Sequence, residues 1–239
     1  NTKLYTGNSS TQSITGVGFQ PDLVWIKNTY TADGHHMYDV IRGATKRIRS
    51  DSSNAETTQS NGLTAFGTDG FTVGDMAGVN ADTRTIASWN WKAGTSFTND
   101  IGATDSAGSV NETAGFSICT YTGVGGTSTT IKHGLSTTPT LMLIKNRSQA
   151  DIDWGVYDQS IGNTNRLYLN NTDAATDSPN TFNSTSPTSS IFTVGNHASV
   201  NTSGETYVAY IFSERQGYSK FGSYTGNGNA NGTFVYLGF

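Results

Sequence analysis

The feature that most constrains this chain is that it repeats itself. Pro21-Asp-Leu-Val-Trp-Ile-Lys-Asn28 returns as Pro139-Thr-Leu-Met-Leu-Ile-Lys-Asn146, 118 residues on. Tyr38-Asp39 returns as Tyr157-Asp158, and that offset of 119 holds through Gly43/Gly162, Thr45/Thr164 and Arg47/Arg166. Phe71-Thr-Val-Gly74 and Val79-Asn80 return as Phe192-Thr-Val-Gly195 and Val200-Asn201, now at 121. The drift falls in polar or Gly-rich stretches, where loops change length between copies of one fold. The sequence therefore predicts two copies of one unit, residues 1–94 and 115–239. Residues 95–114, small and polar with no apolar period, are expected to be a linker or long loop. Tyr5-Thr-Gly-Asn8 recurs as Tyr121-Thr-Gly-Val124 and as Tyr224-Thr-Gly-Asn227. Residues 218–239 thus open a third copy or close the second.

Each copy tests the reading of the other. Ala87, Trp89 and Trp91 align with Val208, Tyr210 and Phe212, so one face is apolar in both at a period of two, which is a strand. Leu23–Ile26 and Leu141–Ile144 are continuous apolar runs and read as central strands covered on both faces. Further strands are expected at 35–39 and 154–158, at 47–49 and 166–169, and at Phe71–Val73 and Phe192–Val194. Asn54–Thr58 and Asp173–Asp177 are each expected to form at most one helical turn. Six to eight short strands per unit, separated by turn residues, predict an all-β chain of two tandem β-sandwich domains of jelly-roll type.

Composition agrees and excludes other classes. Apolar residues make up 34% and charged residues 13%, with 28 Gly against 4 Pro, yet aromatics reach 11%, too many for a disordered chain. The net charge of −4 argues against a nucleic-acid binder, which needs a basic stripe. The one basic concentration, Arg42, Lys46, Arg47 and Arg49, is read as a solvated face. Cys119 is the single cysteine, so no intrachain disulfide can form, and its apolar setting predicts a buried, inert thiol. No apolar run is long enough to insert in a membrane. The chain begins at Asn1 without a methionine and ends inside a motif, which reads as a fragment or processed product.

Catalytic constellations are not visible. Glycoside hydrolysis needs paired carboxylates, and none of Glu56, Glu112, Glu205 and Glu214 has an acidic partner at strand spacing. Asp151 and Asp153 form an i, i+2 pair read as a turn. His35, His36, His133 and His197 follow no zinc-ligand spacing. A cofactor is not expected. Structural calcium is the one metal left open, because Asp69, Asp75, Asn80 and Asp82 crowd one region. Trp25, Trp89 and Trp91 align with apolar residues and are expected in the core. Tyr30, Trp154 and Tyr168 are the candidate ligand-binding residues, as exposed rings able to stack on sugars.

Gly18-Phe-Gln-Pro-Asp-Leu-Val-Trp-Ile-Lys-Asn28, Asp69-Gly-Phe-Thr-Val-Gly74, Trp89-Asn-Trp-Lys-Ala-Gly94 and Gly217-Tyr-Ser-Lys-Phe-Gly-Ser-Tyr-Thr-Gly226 together resemble a repeat of uncharacterised phage and cyanophage virion proteins. The resemblance spans nearly the whole chain. It implies concanavalin A-like sandwiches in a tail-fibre or capsid-surface protein, located on the virion surface or extracellularly. It carries no catalytic residues, so the expected role is non-catalytic: host attachment or particle decoration, with weak glycan binding. A purely structural assembly protein is the alternative, and a glycan-degrading enzyme is third. Expected partners are other copies, other virion proteins and host surface glycans, with no nucleic acid. The first copy departs at Ala81-Asp-Thr-Arg-Thr-Ile86, where the second has Asn201-Thr-Ser-Gly-Glu-Thr206.

Overall fold

The computed structural model describes residues 1–238; Phe239, the last residue of the tail motif, lies outside them. In chain order the elements of the first half are β1 (Thr2–Thr6), β2 (Gln12–Thr15), β3 (Leu23–Asn28), β4 (His36–Asp39), β5 (Lys46–Arg49), β6 (Thr57–Thr58), β7 (Leu63–Gly67), β8 (Gly70–Val73), α1 (Ala77–Asn80) and β9 (Thr85–Trp91). Then come β10 (Thr95–Thr98) and β11 (Ser106–Asn111). The remainder is β12 (Phe116–Thr122), β13 (Thr129–Lys132), β14 (Leu141–Asn146), β15 (Gly155–Asp158), β16 (Asn165–Tyr168), β17 (Thr176–Asp177), α2 (Pro179–Phe182), β18 (Ile191–Val194), α3 (Ala198–Asn201) and β19 (Thr206–Phe212).

The protein is all-β, with four open antiparallel sheets among the described residues. The first half pairs in the order β1-β9-β3-β4-β5-β6 and the second in the order β12-β19-β14-β15-β16-β17, with β10 and β11 added outside β12. Smaller sheets, β2-β8-β7 and β13-β18, complete the set.

Alternation along the strands sorts the side chains into three cores. On β3, Val24 and Ile26 join Tyr5, Tyr38 and Ile86 against Ile14, Leu63, Phe71 and Val73 of the small sheet. In the second half, Tyr121, Met142, Ile144, Tyr207 and Ile211 likewise meet Ile131, Phe192 and Val194. The opposite faces of the two large sheets meet each other: Leu23, Met37 and Ile48 pack on Phe116, Ile118, Leu143, Trp154, Val156 and Tyr210. Four layers therefore stack, small sheet, large, large, small. Each side chain fully buried in the central layer contributes about 1.5–3 kcal/mol, which is why runs such as Leu23–Ile26 are apolar on both faces.

Charged groups cross this central layer. Asp39 Oδ2 accepts from Arg42 Nε at 2.5 Å and from the Tyr210 hydroxyl at 2.6 Å. Arg42 Nη1 reaches Glu56 Oε2 at 3.0 Å, and Arg147 of the other half grips both Glu56 oxygens at 3.0 and 3.1 Å. Burial alone would raise the Glu56 carboxyl, but the hydrogen bond from Arg147 and the charge of Arg42 outweigh it and hold it below its ordinary range. Lys145, buried, donates to the carbonyls of Ser53, Asn146 and Ile152, and its burial draws its pKa down to about 8.

Four expectations need correction. Residues 95–114 are neither linker nor free loop: β10 and β11 extend the second large sheet. Apart from Phe97 and Val110, which reach the core of the second half, their inward positions are small, so no apolar period shows, and Gly108 lies so close to β12 that a Cβ there would meet the Ile118 carbonyl oxygen at 2.0 Å. The expected helical turns at 54–58 and 173–177 are absent; both stretches run into short edge strands, β6 and β17, and the three helical turns fall elsewhere. Arg42 is not on a solvated face, because its side chain is fully buried between Asp39 and Glu56. Trp154 is not exposed: it is buried in the central layer, its indole N–H donating to the Arg49 carbonyl at 3.0 Å. Cys119 is buried as expected, and burial pushes its thiol up to about 12.

Two buried histidines set a pH dependence. Neither ring nitrogen of His36 has a partner, and burial, then the charges of Arg47 and Arg49, bring its pKa down to about 4. Burial brings His133 down to about 4 as well. Both are therefore neutral in the fold where the unfolded chain, with an ordinary value near 6.5, already takes up protons. The stability they allow is complete above about pH 6.5 and is lost as pH falls toward 4. Urea midpoints measured from pH 7.5 to 4.5 are expected to be level at first and then drop, with His36→Gln flattening the drop; a midpoint independent of pH would contradict this.

Candidate functional site

Three tryptophans lie on one face of the first large sheet because the strand period puts them there. Trp25 of β3 is directly opposite Trp89 of β9, and Leu23 opposite Trp91. This is the face that meets the second half, but the cover is incomplete. Leu23, Met37 and Ile48 are enclosed, whereas Trp25, Trp89 and Trp91 are only half-buried. With His35 they line a cavity of about 280 Å³ that opens to solvent.

Each ring is held from behind. Trp91 packs on Phe116 and Phe212, both with ring centroids 6.3 Å away, at the margin of the central layer. Trp25 meets Trp89 edge to face at 6.4 Å and 70°. Its indole N–H donates to His35 Nδ1 at 3.1 Å, and the His35 backbone N–H is in turn fixed by Asp51 at 2.9 Å. Asp51 also pairs with Arg49 at 2.6 Å, so a charged pair stands beside the aromatic floor. Burial lowers the pKa of His35 despite the nearby Asp51 charge, leaving the imidazole neutral and its Nδ1 free to accept. Among the described residues, only Trp25 of the three indole N–H groups has an intrachain acceptor. The result is a preorganised, almost wholly apolar aromatic surface, suited to a ring-shaped ligand with an apolar face.

The residues expected from sequence are not brought together. Trp154 stacks on Tyr210 at 6.3 Å and 26° inside the central layer, out of reach of a ligand. Tyr168 is half-buried on β16 beneath the Arg166 guanidinium, 4.4 Å from its ring centre, and its hydroxyl accepts from the same Arg166. Tyr30, 67% exposed, follows β3 with one face covered by Arg84 at 3.7 Å. Its other face is open, so of the three it alone keeps the surface a stacking residue needs. Trp25 and Trp91 pack against the central core as expected, but with Trp89 they stay half-buried and line the open pocket. The alignment held a signal for this. Where the second copy has Leu143 and Trp154, the first has the larger Trp25 and the more polar His35.

Other candidates take structural parts. Asp153 accepts from Asn170 Nδ2 at 2.6 Å, and Asn170 Oδ1 accepts the Trp154 backbone N–H, which supports the turn reading of 151–153. Of the suspected calcium ligands, Asp69 accepts the Gly16 and Gly18 N–H groups at 2.9 and 2.6 Å, and these bonds hold its carboxyl below the ordinary range. Asp75 accepts from Asn61, and Asn80 is taken up by backbone partners. Among the described residues no three His, Cys, Asp or Glu side chains converge on a metal position.

The Trp25–His35 bond gives a spectroscopic prediction. Protonating Nδ1 removes the acceptor, and the lowered pKa places that event below the ordinary histidine range. Tryptophan emission is expected to change with a midpoint below that of an ordinary histidine while the sheet circular dichroism persists. His35→Gln is expected to abolish the change. A transition centred at or above pH 6.5 would contradict the geometry.

Comparison with the curated proteins and with the solved structures returns no match. The sequence profile of the family described as "Domain of unknown function (DUF7483)" matches residues 1–239, and the chain belongs to that family.

Proposed function

We propose that this chain is a non-catalytic module of a virion surface or tail fibre, built from two tandem copies of one jelly-roll, concanavalin A-like β-sandwich unit, and that it attaches weakly to host-surface glycans through the Trp25–His35–Trp89–Trp91 pocket. The observation that carries the reading is the half-open indole platform on a rigid sheet. Indole faces stack on the C–H face of a pyranose, while the Arg49–Asp51 pair beside the aromatic floor answers its hydroxyls. The tandem-copy part is supported by the matching strand orders of the two large sheets. Tyr30 serves as an outlying stacking position after β3. Weak single sites suit a particle displaying many copies, where linked binding events multiply affinity without stronger contacts. The partners under this reading are host glycans and neighbouring virion proteins, and the location is extracellular.

The test is a glycan array followed by titration of the best ligands. Each aromatic contact is worth about 0.5–1.5 kcal/mol beyond the area it buries. Trp25→Ala or Trp89→Ala is therefore expected to weaken binding roughly two- to tenfold, with Tyr168→Phe leaving it unchanged. A uniformly flat array, or binding indifferent to both tryptophans, contradicts the glycan part of the reading.

A further inference from the structure

The Tyr-Thr-Gly motif occurs three times, and in two of them the structure supplies a matching seat. Tyr5 on β1 is buried, and its hydroxyl donates to the Val79 carbonyl at 2.6 Å. Tyr121 on β12 is buried, and its hydroxyl donates to the Val200 carbonyl at 2.8 Å. Two residues on, a Cβ at Gly7 would meet the Ala81 oxygen at 2.0 Å, and one at Gly123 would meet the Thr202 oxygen at 2.3 Å, so only glycine fits. Both glycines close a two-way backbone pairing. Gly7 N–H donates to Arg84 and its carbonyl accepts from Thr83; Gly123 N–H donates to Glu205 and its carbonyl accepts from Gly204. The next backbone N–H, of Asn8 or Val124, is received by Asn80 Oδ1 or Asn201 Oδ1 at 3.0 and 2.8 Å. The repeated Val-Asn of α1 and α3 is thus a receptor for Tyr-Thr-Gly-X, beside a strand of the β9 or β19 kind.

The third motif, Tyr224-Thr-Gly-Asn227, has no such receptor among the described residues. Tyr224 is 69% exposed, and nothing lies within 4 Å of a Cβ placed on Gly226. Downstream, Phe234 is 86% and Tyr236 71% exposed. A glycine required by close approach at two sites and an aromatic buried at two sites stand here with nothing to approach.

We infer that residues 221–227 are a donor strand, and that their partner is another unit of this same fold, whose Val-Asn turn and β9-type strand seat them as β1 is seated. The pairing is β-strand addition, with the tyrosine pocket supplying specificity. Between separate chains it is head-to-tail, and because β1 and β12 already fill both seats of the intact chain, it forms where a unit's own first strand is missing. The inference rests on strand geometry and is independent of glycan binding.

The test compares four chains by thermal unfolding and by mass in solution: the intact chain, the chain lacking residues 1–8, and each carrying Tyr224→Ser. Deleting β1 empties a seat that the tail can fill. Tyr224→Ser is expected to be silent in the intact chain. In the deleted chain it is expected to abolish head-to-tail oligomers or, where the tail seats within its own chain, to lower the unfolding midpoint. Silence in both backgrounds overturns the inference. Should the deleted chain fail to fold, a synthetic peptide of residues 220–230 is expected to restore its sheet circular dichroism, as a peptide of residues 1–9 does. Absence of recovery with the tail peptide also overturns it.

Discussion

The rest of the structure depends on the chain of polar contacts that runs Tyr210–Asp39–Arg42–Glu56–Arg147, buried at Tyr210, Asp39 and Arg42 and partly exposed at Glu56 and Arg147, starting and ending in the second half and passing through the first. Asp39 and Arg42 have no side-chain exposure. Taking both from water is costly, and the cost is offset only while every partner is in place. Separating the halves would strand Glu56 without Arg147 and Asp39 without the Tyr210 hydroxyl, beside an apolar layer opened to solvent. Hydrophobic contact gives this layer its adhesion, and the charges fix one register between two otherwise slippery sheet faces. Arg147 adds direction, since its fork meets both Glu56 oxygens.

That register decides what remains open. The second half covers the first sheet across Leu23, Met37 and Ile48 and ends at Trp91, so the neighbouring indoles are supported from one side and left bare on the other. The aligned region of the second half, Leu143, Trp154 and Tyr210, is closed by the first. Two copies of similar sequence therefore end in different states: one face becomes core and the other keeps an aromatic pocket. The pocket needs no loop to form it, because β3 and β9 are internal strands braced by both neighbours, and its geometry is as rigid as the sheet.

Much of the fold could be read from residues alone. Alignment of the two copies located β3, β4, β5 and β9 and their counterparts β14, β15, β16 and β19, because Leu23–Ile26 against Leu141–Ile144 and Trp89–Trp91 against Tyr210–Phe212 carry the pattern twice. What it could not carry was the contact between copies. Arg42 looked like part of a solvated basic stretch because its partners, Asp39 and Glu56, are gathered by strand pairing and by a packing event with no sequence period. Trp154 looked exposed and Trp25 buried for the same reason: both belong to the outer face of a unit, and only the docking of the halves decides which is covered. The pairing of β10 and β11 was hidden by Ser106, Gly108 and Ser109, whose small side chains hold a strand without marking one. The candidate site was legible only as a discrepancy, His35 standing where the other copy has tryptophan.

The most direct test of the account is differential scanning calorimetry of the whole chain, comparing the calorimetric enthalpy with that implied by the sharpness of the transition. If the central layer joins the halves into one cooperative body, a single transition with a ratio near one is predicted. Two resolved transitions, or one with a ratio near two, would mean that each half melts alone, and the layer would then be a contact and not the constraint on which the pocket depends.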